Sequence, residues 1–232
     1  MQYQVSRALA GPLLKAWARP RVTGAEHIPE SGGAIIASNH LSIVDSIYLP
    51  LMLARPVTFA AKSEYFTGTR PIDRIAGAYL RATKQLAVDR TGPRAAQDML
   101  QAALGLLRRG QLFGIYPEGT RSPDGQLYRG RIGVGWLALN SGLPVIPVAM
   151  KGTEHVLPPG HIVPRPARIE IIIGKPLTFG SEYQQGPEAK ARRTITDEVM
   201  QAIQALSGQE YVAVYASTRK EELAAANGSA VR

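Results

Sequence analysis

Gly32-Gly33-Ala34-Ile35-Ile36-Ala37-Ser38-Asn39-His40-Leu41-Ser42-Ile43-Val44-Asp45 begins as an unbroken run of small and apolar residues and opens into polar ones. A run of that length, small or apolar up to Ala37, predicts a buried strand from Gly32 to Ser38. Asn39 and His40 then stand at its exit, and a helix is expected from near Ile43 to Leu53. A buried strand that hands polar residues to the start of a helix is the repeating unit of an α/β sheet, where reactive groups gather at strand ends.

The same alternation extends in both directions. Val57 to Ala61, Gln85 to Val88, Leu112 to Tyr116, Val145 to Met150 and Arg168 to Ile173 read as strands. Ile72 to Leu80, Pro93 to Arg109, Ile132 to Asn140 and Glu188 to Leu206 read as helices. The clearest is Pro93 to Arg109: proline suits a first turn, Met99, Leu100, Ala103, Leu104 and Leu107 form an apolar stripe, and Gly110 stops it. The expected fold is α/β, a largely parallel mixed sheet flanked by helices, with an N-terminal amphipathic helix. That helix is read over Tyr3 to Ala18, where Val5, Leu9, Leu13 and Trp17 recur every four residues among Arg7, Lys15 and Arg19. The spacing fits a lipid surface or a protein floor equally well. The chain is thus read as a membrane-contacting segment (1–22), an α/β domain (23–215) and a flexible tail (216–232).

A length of 232 residues suits one large domain, and an apolar content of 45% supports a real core. The net charge of +9 asks for an anionic partner: a membrane surface, a phosphorylated substrate or nucleic acid. Aromatics at 6% and the lack of any nucleic-acid-binding motif count against the last. The chain has no cysteine, which removes thiolate catalysis and disulfides, and its histidines (His27, His40, His155, His161) show no metal-ligand spacing. No metal is therefore expected. The uncharged stretch from Ile132 to Met150 is broken by Asn140, Gly142, Pro144 and Pro147, so any membrane association is expected to be peripheral and cytoplasmic.

Two constellations carry chemistry. Five residues separate His40 from Asp45, a rotation of about 140° on a helix, so they cannot share a helical face. They can meet if His40 lies in the loop and Asp45 on the first helical turn. The carboxylate would then fix the imidazole tautomer and leave the other nitrogen free to take a proton. The competing reading makes Asp45 a helix-start residue and His40 a loop residue. No GxSxG elbow is present, so direct attack by a substrate hydroxyl is favoured over a covalent acyl-enzyme. The second constellation is Tyr116-Pro117-Glu118-Gly119-Thr120-Arg121-Ser122. Arg121 offers a planar fork for phosphate, the Gly119 and Thr120 amides and the Thr120 hydroxyl offer further donors, and Glu118 can accept from glycerol hydroxyls. The competing reading is a turn whose Glu–Arg pair is only a salt bridge. Arg129 and Arg131, just beyond, either hold phosphate or pantetheine or line a solvated face.

Together these segments resemble the glycerolipid acyltransferase family, that of the 1-acyl-sn-glycerol-3-phosphate acyltransferases. Its NHxSxxD motif matches Asn39 to Asp45, and its Phe-Pro-Glu-Gly-Thr-Arg-Ser motif matches Tyr116 to Ser122, with tyrosine for phenylalanine. Leu86 to Arg90, Val145 to Ala149 and Ala61 to Glu64 match further segments, and the likeness runs roughly from Gly24 to Thr178. The resemblance implies that His40 is the general base and Asp45 its orienting partner. It implies an acceptor site of Glu118, Gly119, Thr120 and Arg121, with Arg90 and Lys62 contributing to phosphate binding. The implied donor is acyl-coenzyme A or acyl-carrier protein, with no other cofactor. The implied acceptor is a lysophospholipid, with glycerol-3-phosphate and lyso-glycolipids or aminolipids as alternatives. The implied location is the inner face of the cell membrane. The substituted Tyr116 is expected to pack inward.

Overall fold

The computed structural model describes residues 11–12, 14–67, 71–89, 94–158, 161 and 163–229. Its framework is one seven-stranded sheet built from β1 (Arg21–Thr23), β2 (Ala34–Ser38), β3 (Val57–Lys62), β4 (Leu86–Val88), β5 (Leu112–Ile115), β7 (Val145–Lys151) and β8 (Glu170–Ile173). The strand order is β1-β8-β7-β2-β5-β3-β4. Every pairing is parallel except β7 with β8. A separate parallel ladder joins β6 (Leu127–Tyr128) to β9 (Tyr211–Val212). The helices are α1 (Asp45–Met52), α2 (Glu64–Thr67), α3 (Pro71–Ala82), α4 (Ala95–Arg108), α5 (Gly133–Ser141), α6 (Thr153–Val156), α7 (Glu188–Ser207) and α8 (Ala216–Ser229).

β2 is central, and all five of its residues are buried. Ile36 packs with Tyr48 and Leu49 of α1 and with Phe59, Ile146 and Val148. Ile35 and Ala37 point the other way, into Leu104 and Leu107 of α4, Leu137 of α5, and Val199 and Ile203 of α7. Burying each isoleucine contributes about 1.5–3 kcal/mol, so the unbroken apolar run of β2 holds the two helical layers onto one sheet. The parallel strands β2, β5 and β3 all run the same way, so their C-terminal ends open onto one edge. His40, the Glu118–Arg121 turn and Lys62 stand along that edge.

The expected strands and helices are found with ends shifted by one to a few residues, and the sheet is the expected largely parallel, mixed one. β1, β6 and β9 were not anticipated. They are two or three residues long, too short to show a period. The amphipathic helix expected over Tyr3 to Ala18 lies outside the described residues up to Ala10 and at Leu13. Residues 14–18 are helical, and the Arg19 amide donates to the Lys15 carbonyl at 2.8 Å. Trp17 is exposed. The tail expected to fray beyond residue 216 is helix α8. Its alanines, lysine, arginine and glutamates are good helix formers, and Arg219 ties it to Asp124 at 3.7 Å.

Candidate active site

The exit of β2 is clamped before it reaches the histidine. Asn39 is buried, its side-chain amide donates to the Met150 carbonyl at 2.9 Å, and its oxygen accepts the Met150 amide at 2.7 Å. This reciprocal pair welds the end of β2 to β7 and fixes where the next residue can stand.

His40 lies in the loop and Asp45 is the first residue of α1, the placement their spacing requires if they are to meet. They do: His40 Nδ1 is 2.9 Å from Asp45 Oδ2. Asp45 is fully buried, and its Oδ2 also accepts the amides of Leu41 at 2.7 Å and Ser42 at 2.9 Å. A carboxylate flanked by two backbone donors stays an acceptor, so Nδ1 carries the proton and Nε2 presents a lone pair. The histidine side chain is 16% exposed, enough for that lone pair to be reached.

The ring is also held on its face. Tyr116 stacks on it, with centroids 3.9 Å apart and planes 9° from parallel. Phe59 stacks on Tyr116 in turn, at 5.0 Å and 21°. Phe59 fits there because its register partner on β5 is Gly114, where a Cβ would sit 2.2 Å from the ring. The Tyr116 hydroxyl, expected to face inward, shares a hydrogen bond of 3.0 Å with Ser46. Burial, then the Asp45 charge, hold that phenol well above its usual range, so it stays neutral.

Glu118 has a different place from the one the resemblance implies. It is 1% exposed, and its two oxygens accept the amides of His40 at 3.1 Å and Tyr128 at 3.0 Å. It braces the histidine loop and does not present itself to glycerol hydroxyls. Burial pushes its carboxyl up to about 7, against the pull of those two amides. Nor is it a salt bridge with Arg121, since no ion pair joins them among the described residues. The brace is doubled by the Ser122 amide, which donates to the His40 carbonyl at 2.7 Å.

The Gly119 amide, expected to serve a ligand, donates to the Tyr116 carbonyl at 3.0 Å and closes the turn. Its φ of +74° is the left-handed region, and a Cβ would meet Arg131 Cδ and Nε at 2.9 Å. Glycine is therefore needed for the shape of the turn. Arg121 is exposed beyond it. The Thr120 hydroxyl accepts a hydrogen bond of 2.6 Å from Lys220 of α8. Lys62 ends β3, exposed on the same edge and two strands from β2, a lateral offset of about 10 Å. Arg90 lies outside the described residues. Arg129 and Arg131 hold their guanidinium groups 5.7 and 5.0 Å from the Tyr215 ring centre. Lys220 carries no mark in sequence that points to the turn, since no spacing ties the two. The tethering role of Asn39 was visible only as its position after a buried strand.

The geometry thus assembles a proton acceptor on an oriented imidazole beside a turn whose guanidinium joins no ion pair among the described residues. A family described as Acyltransferase matches residues 19–151. The chain is 30% identical over 163 residues to the chloroplastic 1-acyl-sn-glycerol-3-phosphate acyltransferase of Brassica napus, covering 69% of this chain and 45% of that protein. It is 27% identical over 191 residues to the 1-acyl-sn-glycerol-3-phosphate acyltransferase of Bacillus subtilis, covering 82% and 88%. It therefore spans under half the length of the plant relative and most of the bacterial one. The crystal structure of the 1-acyl-sn-glycerophosphate acyltransferase of Thermotoga maritima matches with a TM-score of 0.67 at 27% identity, over 88% of this chain and 79% of that one.

Proposed function

The chain belongs to the acyltransferase family, and on that premise we propose that it moves a fatty acyl group from acyl-coenzyme A or acyl-carrier protein to the hydroxyl of a lysophospholipid. The acceptor we favour is 1-acyl-sn-glycerol-3-phosphate, which would become phosphatidic acid. The names of the plant, Bacillus and Thermotoga relatives support that choice.

The observation that carries the reading is the 2.9 Å contact between His40 and Asp45, with Nε2 left open beside the Arg121 turn. His40 Nε2 takes the proton of the acceptor hydroxyl as its oxygen attacks the thioester carbonyl. The tetrahedral intermediate collapses, the carbon–sulfur bond breaks, and the imidazolium returns the proton to the leaving thiolate. Asp45 and the Tyr116 face both favour the imidazolium while it exists. Glu118 and Asn39 act through position, by holding the loop. Arg121 and Thr120 take the acceptor's phosphate, with Lys62, two strands away on the same edge, and Arg90 as further contributors. The proton traffic is complete within these residues, and the proposal includes no metal.

Among the described residues no helix is long and apolar enough to cross a membrane. We place the protein peripherally on the inner face of the cell membrane, with residues 1–22 in contact, supported by the net charge of +9 and the exposed Trp17. Loss of anionic-vesicle binding in Trp17→Glu tests that contact, and unchanged binding would remove it.

The decisive experiment is an acyl-transfer assay. Purified protein meets acyl-coenzyme A and acyl-carrier-protein donors with lysolipids and glycerol-3-phosphate, and products are identified by mass. Transfer to a lysophospholipid hydroxyl is the expected result. Transfer only to glycerol-3-phosphate or a lyso-glycolipid replaces the acceptor, and no transfer to any hydroxyl ends the reading.

A further inference from the structure

Lys220 and Arg121 form a pair of cations without a carboxylate. The adjacent cation of α8, Arg219, is by contrast paired with Glu222 and Asp124. Neither Lys220 nor Arg121 joins an ion pair among the described residues. Burial, and then the charge of Arg121, lower the Lys220 ammonium from its usual range, with Glu118 pulling the other way. A lysine drawn out of water beside a guanidinium is held at a cost.

That cost is maintained by deliberate anchoring. α8 is fixed by the pair of Arg219 with Asp124 and by Arg131, which donates to Ser217 at 3.0 Å. Tyr215, just before the helix, lies under Arg129 and Arg131. From this seat Lys220 Nζ reaches Thr120 Oγ1 at 2.6 Å. An ammonium can only donate, so Thr120 accepts with a lone pair and keeps its own proton to donate. Among the described residues the other two ammonium protons have no partner. Three kinds of donor therefore converge at the turn: an ammonium, a guanidinium and a hydroxyl.

We propose that Lys220, through Thr120 and together with Arg121, binds a phosphate monoester, so that α8 completes the anion site of the acceptor. Two cations suit a doubly charged monoester better than a singly charged diester. The proposal rests on the function proposed above for its lipid acceptor, and on the donor geometry alone for its phosphate chemistry. It places a specificity residue well beyond residues 19–151, where the family match ends.

The test uses the full chain carrying Lys220→Gln, which removes the charge and keeps a donor for Thr120, and Lys220→Arg, which keeps the charge. Glycerol 3-phosphate and inorganic phosphate are titrated calorimetrically into each. Steady-state kinetics are then run with 1-acyl-sn-glycerol-3-phosphate and with the matching monoacylglycerol. For Lys220→Gln, glycerol 3-phosphate binding should weaken and the KM for the phosphorylated acceptor should rise, each by about tenfold or more. Its kcat, its KM for acyl-coenzyme A and its turnover of monoacylglycerol should stay within about threefold, and Lys220→Arg should restore the KM. Stronger loss with glycerol 3-phosphate than with inorganic phosphate points to the headgroup, and equal loss to phosphate alone; both support the site. Unchanged binding and KM, or a rise confined to acyl-coenzyme A, overturns it. If the wild-type chain acylates no lysolipid, the proposed function falls, and the titration by itself decides the role of Lys220.

Discussion

The imidazole of His40 lies flat on the phenol of Tyr116, 3.9 Å away and 9° from parallel, while its edge is held by Asp45. Two orthogonal restraints leave the ring little freedom. Tyr116→Phe keeps the stack and loses the bond to Ser46, so kcat should stay within about threefold and stability should fall by about 1 kcal/mol. Tyr116→Leu removes the aromatic face, and kcat should fall by about tenfold or more as the ring loses its orientation. Equal turnover in both variants, measured beside urea unfolding, would show that the stack has no catalytic consequence.

Gly114 acts on the same stack from a distance. In Gly114→Ala the new methyl would stand 2.2 Å from the Phe59 ring and drive it toward Tyr116. Overpacking of this kind costs about 1–3 kcal/mol, and kcat should fall with it. Adding Phe59→Leu should recover stability but not turnover. Recovery of both would mean that the ring column is only packing.

His40→Ala should lower kcat/KM by about 10²–10⁴-fold with the far-ultraviolet circular dichroism unchanged. Asp45→Asn should also be severely impaired, because an amide that donates toward Nδ1 selects the wrong tautomer. Retention of more than about a tenth of wild-type activity in His40→Ala would contradict a base of that worth.

Glu118 makes stability depend on pH. Its carboxyl is raised from 4.5 to about 7, so over that interval the folded chain holds a proton that the unfolded chain releases. Its contribution is full below about pH 4.5 and is lost as pH rises through about 7. The loss amounts to roughly 3–4 kcal/mol at about 1.4 kcal/mol per pH unit. Glu118→Gln should remove this slope. It should also lower kcat, because an amide can accept from only one of the His40 and Tyr128 backbone donors. Urea titrations of both proteins between pH 5 and 8 check this; parallel curves would count against a buried, proton-holding carboxyl.

Arg121→Ala should raise the KM for a phosphorylated acceptor by about tenfold, the worth of a charge-assisted bond of roughly 1.5–3 kcal/mol. The KM for monoacylglycerol serves as the control. Unchanged kinetics with the phosphorylated acceptor would take Arg121 out of the site.

The framework was legible because its signals are local. β2 is apolar from Ala34 to Ala37 and α4 has a clean stripe, so burial left its mark in a short window. His40 and Asp45 were legible for a similar reason: their spacing forbids a shared helical face and demands a loop next to a helix start. What stayed hidden depends on contacts between distant segments. Glu118 looks like a ligand residue in sequence, yet the chain folds Tyr128 and His40 over it and spends both of its oxygens. Lys220 sits a hundred positions from Thr120, with nothing in its neighbourhood to link them. The helical character of α8 was readable from its alanines, lysine and glutamates, and the small polar residues among them led toward a tail instead.

β2 pairs with β5 on one side and β7 on the other, both supplied by much later parts of the chain. Closing such long loops costs entropy before any contact repays it, so this strand is seated only when most of the domain is in place. The imidazole it delivers therefore has no partly folded ancestor: a chain that has collapsed around local helices alone holds the histidine, but neither its brace nor its neighbour across the sheet. Turnover should consequently report on the cooperative unit as a whole, disappearing together with the sheet on heating and returning on cooling at the rate of the slowest refolding phase.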